Sequence, residues 1–168
     1  MRTRIKTSKG VFLIIQARKS DIYAISKLTR GKNLRYRPPE EIAQLLHNFL
    51  VVINEKNEVV ACIGARRYEN NDVEIIALRT APGYEKLGLA SSLLLLKLNS
   101  LKKKGGFRIF ALTTKTTAEK LFYPLGFIRV GIQLFHWKVL CDCADCPKNI
   151  ITPEGIHLCN EIAVLYRP

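Results

Sequence analysis

The stretch from Val73 to Gly106 constrains this chain more than any other. Val73 to Thr80 is apolar enough to read as a strand, and Pro82 and Gly83 break it. Gly88 and Ala90 then open a leucine-dense segment, Leu89 to Lys104, which ends in a lysine run and Gly105-Gly106. A strand that feeds a long helix through a glycine turn belongs to an α/β or α+β chain. Small residues at the helix start let backbone N–H groups approach a ligand closely, and the helix N-terminus adds positive potential. Such a turn can cradle a pyrophosphate; taken alone, a glycine before a helix is more often an ordinary turn.

The flanking segments extend the pattern. Phe12 to Ala17 predicts a strand. Ser20-Asp21 starts a helix with Ile22, Ile25 and Leu28 on one face, and Pro38-Pro39 with Glu40 and Glu41 opens another. Phe49 to Asn54 and Val59 to Arg67 predict a hairpin. After the long helix, strands are predicted at Arg108 to Thr113, Phe127 to Val130, Leu134 to Leu140 and Ile162 to Tyr166, with a short helix at Thr117 to Tyr123. The expectation is one domain over residues 1–168 with a mixed, mostly antiparallel sheet, about four helices and a cysteine-rich segment at 141–159.

Charge is unevenly placed. Residues 1–37 hold eleven Lys or Arg against one acid, Asp21, which accounts for +10 of the formal net charge of +13. Nucleic acid, an anionic cofactor and acidic substrates all fit such a front, as does a solvated basic face. No apolar run approaches the ~18 residues of a membrane helix, and no cleavable apolar leader follows the basic start. The chain therefore reads as cytoplasmic.

Glu85-Lys-Leu-Gly88-Leu-Ala90 resembles the Arg/Gln-x-x-Gly-x-Gly/Ala signature of the GNAT superfamily of acetyl-CoA-dependent N-acetyltransferases. Gln16 to Ile22, Phe107 to Thr113 and Phe122-Tyr123-Pro-Leu-Gly126-Phe127 resemble other family segments in the family's order. The resemblance implies a GNAT fold with acetyl-CoA as co-substrate. Lys86, Leu87, Gly88, Leu89, Ala90 and Ser91 would wrap the pyrophosphate, and Leu78, Arg79 and Thr80 would line the thioester, offering it a backbone N–H. Glu85 departs from the signature, and Lys86 is the cation at hand to compensate. A narrower resemblance, to bacterial N-acetylglutamate synthase-type enzymes, rests on Arg37-Pro-Pro-Glu-Glu-Ile, Phe49-Leu-Val-Val, Val59-Val-Ala-Cys62-Ile-Gly, Lys138-Val with Asp142-Cys143-Ala-Asp-Cys146-Pro147-Lys148, and Cys159-Asn-Glu161-Ile-Ala163. It implies an amino-acid acceptor, with glutamate leading and a place in arginine biosynthesis. Residues 147–158 are longer than that branch implies, and Ile76 stands where it implies a basic residue.

An acceptor amine with a pKa of ~10 must shed a proton before it attacks. The resemblance makes Glu74 the candidate base, working through water, against a reading as an outward-facing carboxylate. Tyr123 is the candidate acid for the CoA thiolate, although strict spacing from Gly126-Phe127 falls on Phe122. Arg35, Arg37 and Lys115 are candidate cations for an acceptor carboxylate, against a reading as surface charge. Cys141, Cys143, Cys146 and Cys159 have spacing suited to structural zinc, with His136 or His157 as replacements, and free thiols are the alternative. Three functions stay open: a small-amine or amino-acid acetyltransferase, a protein lysine or N-terminal acetyltransferase, and a non-catalytic CoA-sensing or nucleic-acid-docking domain. Each is compatible with a homodimer.

Overall fold

The computed structural model describes residues 2–30, 35–144, 146, 153 and 159–167. They form two compact units: Met1–Arg66 with Ile75–Phe107, and Arg67–Glu74 with Arg108–Pro168.

The first unit holds β1 (Arg2–Thr7), β2 (Gly10–Gln16), α1 (Ile22–Leu28), α2 (Pro39–Leu45), β3 (Leu50–Ile53), β4 (Val59–Arg67, up to Arg66) and the second part of β5 (Asp72–Thr80). Its strands lie in the order β1-β2-β3-β4-β5. β1 was not predicted from the sequence. Its Arg-Thr-Arg-Ile-Lys-Thr run lacks an apolar face, yet every residue pairs with β2, from Arg2 opposite Ile15 to Thr7 opposite Gly10. Pairing in register with an apolar neighbour holds it as a strand, and the cations at 2, 4 and 6 occupy its exposed positions.

Val51, Ile53, Cys62 and Ile76 from the strands meet Ile25 of α1 and Ile42 of α2 in one buried cluster. α3 (Leu89–Lys104) buries Leu89, Leu93, Leu94, Lys97 and Leu98, a helical spacing that the leucine run predicts. Lys97 is the exception on that face. Its Nζ donates to the Asn48 carbonyl at 2.6 Å, and burial lowers its pKa to about 8. Gly64 is required by a close approach, since a Cβ there would meet the Phe49 ring at 2.6 Å.

The second unit holds the start of β5, then β6 (Arg108–Thr114), α4 (Lys115–Thr117), further helical turns to residue 125, β7 (Phe127–Val130), α5 (His136–Lys138) and β8 (Glu161–Tyr166). The strand order is β5-β6-β8-β7. β5 and β6 pair in parallel over Asp72–Glu74 and Arg108–Phe110, and β8 is antiparallel to both β6 and β7. The result is the expected α/β class with mixed pairing.

Leu134 to Leu140 is helical rather than a strand: a 3-10 turn over Ile132–Phe135, then α5, then a wide turn over Val139–Cys143. Its aromatic and β-branched residues suggest a strand. Yet the buried side chains are Phe135, Lys138 and Asp142, spaced three and four apart as on one helix face. Two of the three are charged, so a hydrophobic pattern could not reveal that face. Phe135 stacks on Phe110 with centroids 3.9 Å apart and rings 8° from parallel.

Candidate active site

In the first unit β5 carries a local distortion. Ala77 has φ +53°, a left-handed value inside a strand, and its carbonyl accepts from the buried Cys62 thiol at 3.2 Å. A residue held there costs on the order of 1 kcal/mol and re-aims the strand beyond it. Burial changes at this point, because residues 72–77 are buried whereas Leu78, Arg79 and Thr80 are half-buried. These three are the predicted thioester-lining residues, and they occupy the accessible end of the strand.

The turn that follows is built from left-handed residues. Gly83 has φ +84°, Lys86 +62° and Gly88 +75°, and Gly88 is the N-cap of α3. Such residues turn successive peptide N–H groups toward one side and form an anion-binding concavity. The first N–H groups of α3 have no partners within the helix and add to it. A Cβ at Gly83 or Gly88 would meet nothing within 4 Å, so glycine serves backbone conformation here and not packing. Lys86, Gly88 and Ser91 are exposed, Leu87 and Ala90 half-buried, and Leu89 buried in the core. Glu85 turns back on the loop, its Oε2 accepting the Gly83 N–H at 2.7 Å.

In the second unit Glu74 is buried, contrary to an outward-facing position. Its Oε1 lies 2.9 Å from Lys138 Nζ, and its Oε2 accepts from the Tyr68 hydroxyl at 2.8 Å. Asp142 Oδ2 lies 2.7 Å from the same Nζ and 3.4 Å from the Tyr68 oxygen. One lysine thus faces two carboxylates, each of these three side chains no more than 6% exposed. Beside them Arg108 makes a bidentate pair with the buried Asp72 at 2.6 and 2.8 Å. The sequence marks Lys138 and Asp142 only through the narrower resemblance, with no role in the site, and does not mark Tyr68 at all. The four-residue spacing of Lys138 and Asp142 fits one helix face, but the segment reads as a strand in the sequence.

Tyr123 is half-buried, and no described residue partners its hydroxyl. Phe122, on which the strict spacing falls, is 2% exposed and packs edge-on against Phe127 at 5.0 Å. Of the two, only Tyr123 has a group that can give up a proton.

The acceptor cations divide. Arg37 is buried and spends its guanidinium on Glu41, while its backbone is held by Ser26 and Thr29. Arg35 is 47% exposed and lies 3.6 Å from the other Glu41 oxygen. Lys115 is exposed at the start of α4, 3.9 Å from Glu119.

Cys143, Cys146 and Cys159 are half-buried free thiols, and burial raises the pKa of Cys143. Among the described residues no three of His, Cys, Asp and Glu gather to hold a metal. The side chains of Cys141 and His157 lie outside the described ones, so the four-cysteine zinc site falls in part outside the described residues. Cys62 is fully buried, its thiol pushed up to about 12, which fits an inert core residue.

Residues 20–127 match the Acetyltransferase (GNAT) family, a span that takes in both β5 and the glycine turn. The chain belongs to this family. Its members are acyltransferases, and the α/β fold expected from the motif is the family's. The N-acetyltransferase CT2212 of Chlorobaculum tepidum, itself uncharacterized, is 26% identical over 153 residues, 89% of this chain and 92% of that one. Among solved structures, N-acetylglutamate synthase from Neisseria gonorrhoeae, complexed with coenzyme A and N-acetyl-glutamate, superposes with a TM-score of 0.70 at 20% identity. That match covers 93% of this chain but only 35% of the synthase chain, so this chain spans about a third of its length. Rv2747 from Mycobacterium tuberculosis, in complex with CoA, gives a TM-score of 0.70 at 20% identity, over 92% of this chain and 98% of that one. No helix among the described residues is long and apolar enough to cross a membrane.

Proposed function

We propose that this GNAT protein transfers the acetyl group of acetyl-CoA to the α-amino group of an amino acid, with glutamate the leading acceptor. The observation that carries the CoA half is the turn at residues 81–88, where three left-handed residues lead into the N-terminus of α3. The acceptor half is supported by the tail motif, by exposed Arg35, and by the likeness to a synthase solved with N-acetyl-glutamate.

In this reading the peptide N–H groups of residues 86–91 hold the pyrophosphate. The accessible strand end at Leu78 to Thr80 offers an N–H to the thioester oxygen as negative charge builds there. The amine attacks the carbonyl carbon, the C–S bond breaks, and the thiolate takes a proton from the Tyr123 hydroxyl. Glu74 enters with both oxygens engaged. To receive the amine's proton through water it must give up Lys138 or Tyr68, a cost that an unpaired carboxylate would not meet.

The test is release of free thiol from acetyl-CoA against amino acids, polyamines and peptides. Turnover with glutamate alone is the expected result. Turnover confined to peptides would discard the amino-acid acceptor and leave a protein acetyltransferase. CoA binding without turnover on any acceptor would leave a sensor. Tyr123→Phe is expected to lower kcat by about 100-fold with little change in KM; an unchanged kcat removes Tyr123 as the acid. If Glu74 is the base, Glu74→Gln abolishes the acid limb of the pH–rate profile, and an unaltered profile makes Glu74 an anchor only.

A further inference from the structure

The front-loaded basic charge and the departure at Glu85 meet at one residue. Lys9 sits in the turn between β1 and β2, and its Nζ donates to the Gly83 carbonyl at 2.6 Å. The Gly83 N–H is the group that Glu85 caps at 2.7 Å. Gly83 is therefore held on both sides, by a cation on its C=O and an anion on its N–H. Two further contacts fix the same turn. The Tyr84 ring packs edge-on against Phe12 of β2 at 5.9 Å, and the Tyr84 hydroxyl lies 3.2 Å from Asn54 Nδ2.

We propose that Lys9 is a positioning residue of the acetyl-CoA cradle, supplying the cation that the signature's first position lacks in this chain. This rests on the CoA reading given above. The signature carries Arg or Gln where this chain has Glu85. A free carboxylate at that point would repel a pyrophosphate across a few ångströms of low-dielectric surface. Here the carboxylate is turned onto the Gly83 N–H, which ties its charge to the early side of the turn. Lys9 draws on the other side of Gly83 and brings a positive charge to the turn that also carries Lys86. Its flexible four-carbon stem lets the ammonium serve the carbonyl and an incoming phosphate alike. A lysine present only for solubility would have no reason to bond a carbonyl 74 residues away.

The experiment is calorimetric titration of the full chain with CoA and with dephospho-CoA, which lacks the 3′-phosphate but keeps the pyrophosphate. Lys9→Met is expected to weaken both ligands by about fivefold and to flatten the salt dependence of binding. Lys9→Arg should restore most of the affinity, and Glu85→Gln should tighten both ligands about twofold. Lys9 is exposed in a turn, so these variants should keep the melting temperature of the parent, which is measured alongside. Unchanged affinity in Lys9→Met overturns the proposal and leaves a surface cap. A loss seen with CoA and not with dephospho-CoA also overturns it, since Lys9 would then serve the 3′-phosphate. A parent chain that binds neither ligand fails the CoA reading itself.

Discussion

In the turn that opens α3, charge is handled by backbone. Gly83, Lys86 and Gly88 hold left-handed backbone, most of the side chains are exposed, and the space beside both glycines is empty. In the second unit charge is handled by side chains. Tyr68, Glu74, Lys138 and Asp142 close on one another, with the lysine and both carboxylates almost fully buried. The first arrangement puts the donors of a helix N-terminus in exposed backbone, which suits a ligand. The second spends them all: no buried side-chain N or O among the described residues lacks a partner. The difference teaches where each region's value lies. Changes in the turn should cost function more than stability, and changes in the buried cluster should cost stability first.

The largest expected effect tests the second half of that contrast. Lys138→Met removes the one cation that faces two buried carboxylates, and breaking a buried pair from one side costs about 3–5 kcal/mol. Denaturant unfolding should show that loss as a lower midpoint with an unchanged slope. Pairing the change with Glu74→Gln should recover part of it, because the stranded charge is removed with its partner. A Lys138→Met chain as stable as its parent, yet inactive, would break the comparison and place Lys138 in the chemistry.

The same contrast explains what the sequence could disclose. The turn was legible because its chemistry is local: a proline, glycines at 83 and 88 and a leucine-dense helix lie within about thirty residues of one another. The cluster was not, because Tyr68 and Asp142 are 74 positions apart and meet only after folding. Lys138 was further disguised by its neighbours Phe135, Trp137 and Val139, whose strand preference hides a helical face with charge on it. β1 was missed for the opposite reason. Alternating Arg, Thr and Lys carry no apolar signal, and the strand exists because β2 offers it a register. Tyr123 and Phe122 differ in burial, which a count along the chain does not contain.

Lys97 gives the next effect in size and sharpens the comparison within the first unit. Its pKa in the folded chain is about 8 against an ordinary 10.5, lowered chiefly by burial and next by Lys104. Between these values the unfolded chain binds the proton and the folded chain does not, so stability rises as pH climbs through this window. The stabilisation is fully present above 10.5 and is lost as pH falls through 8. Relative to Lys97→Met, the parent should gain at most about 3 kcal/mol between pH 7.5 and 10.5. Unfolding curves of the two chains that run parallel over that range would mean Lys97 keeps an ordinary pKa and its ammonium reaches water.

The smallest effect on stability is expected in the turn itself. Gly88→Ala puts a Cβ where nothing lies within 4 Å, so no clash arises. The remaining cost is that of holding alanine at φ +75°, about 1–2 kcal/mol. If the turn exists for its donors, that small strain is amplified in binding. Any relaxation of residue 88 toward negative φ swings its peptide N–H away from the pyrophosphate, and the KM for acetyl-CoA should rise about tenfold while the melting temperature barely moves. The reverse pattern, a large drop in melting temperature with unaltered KM, would mean that the turn serves to start α3, and its open donors would then be incidental to the helix.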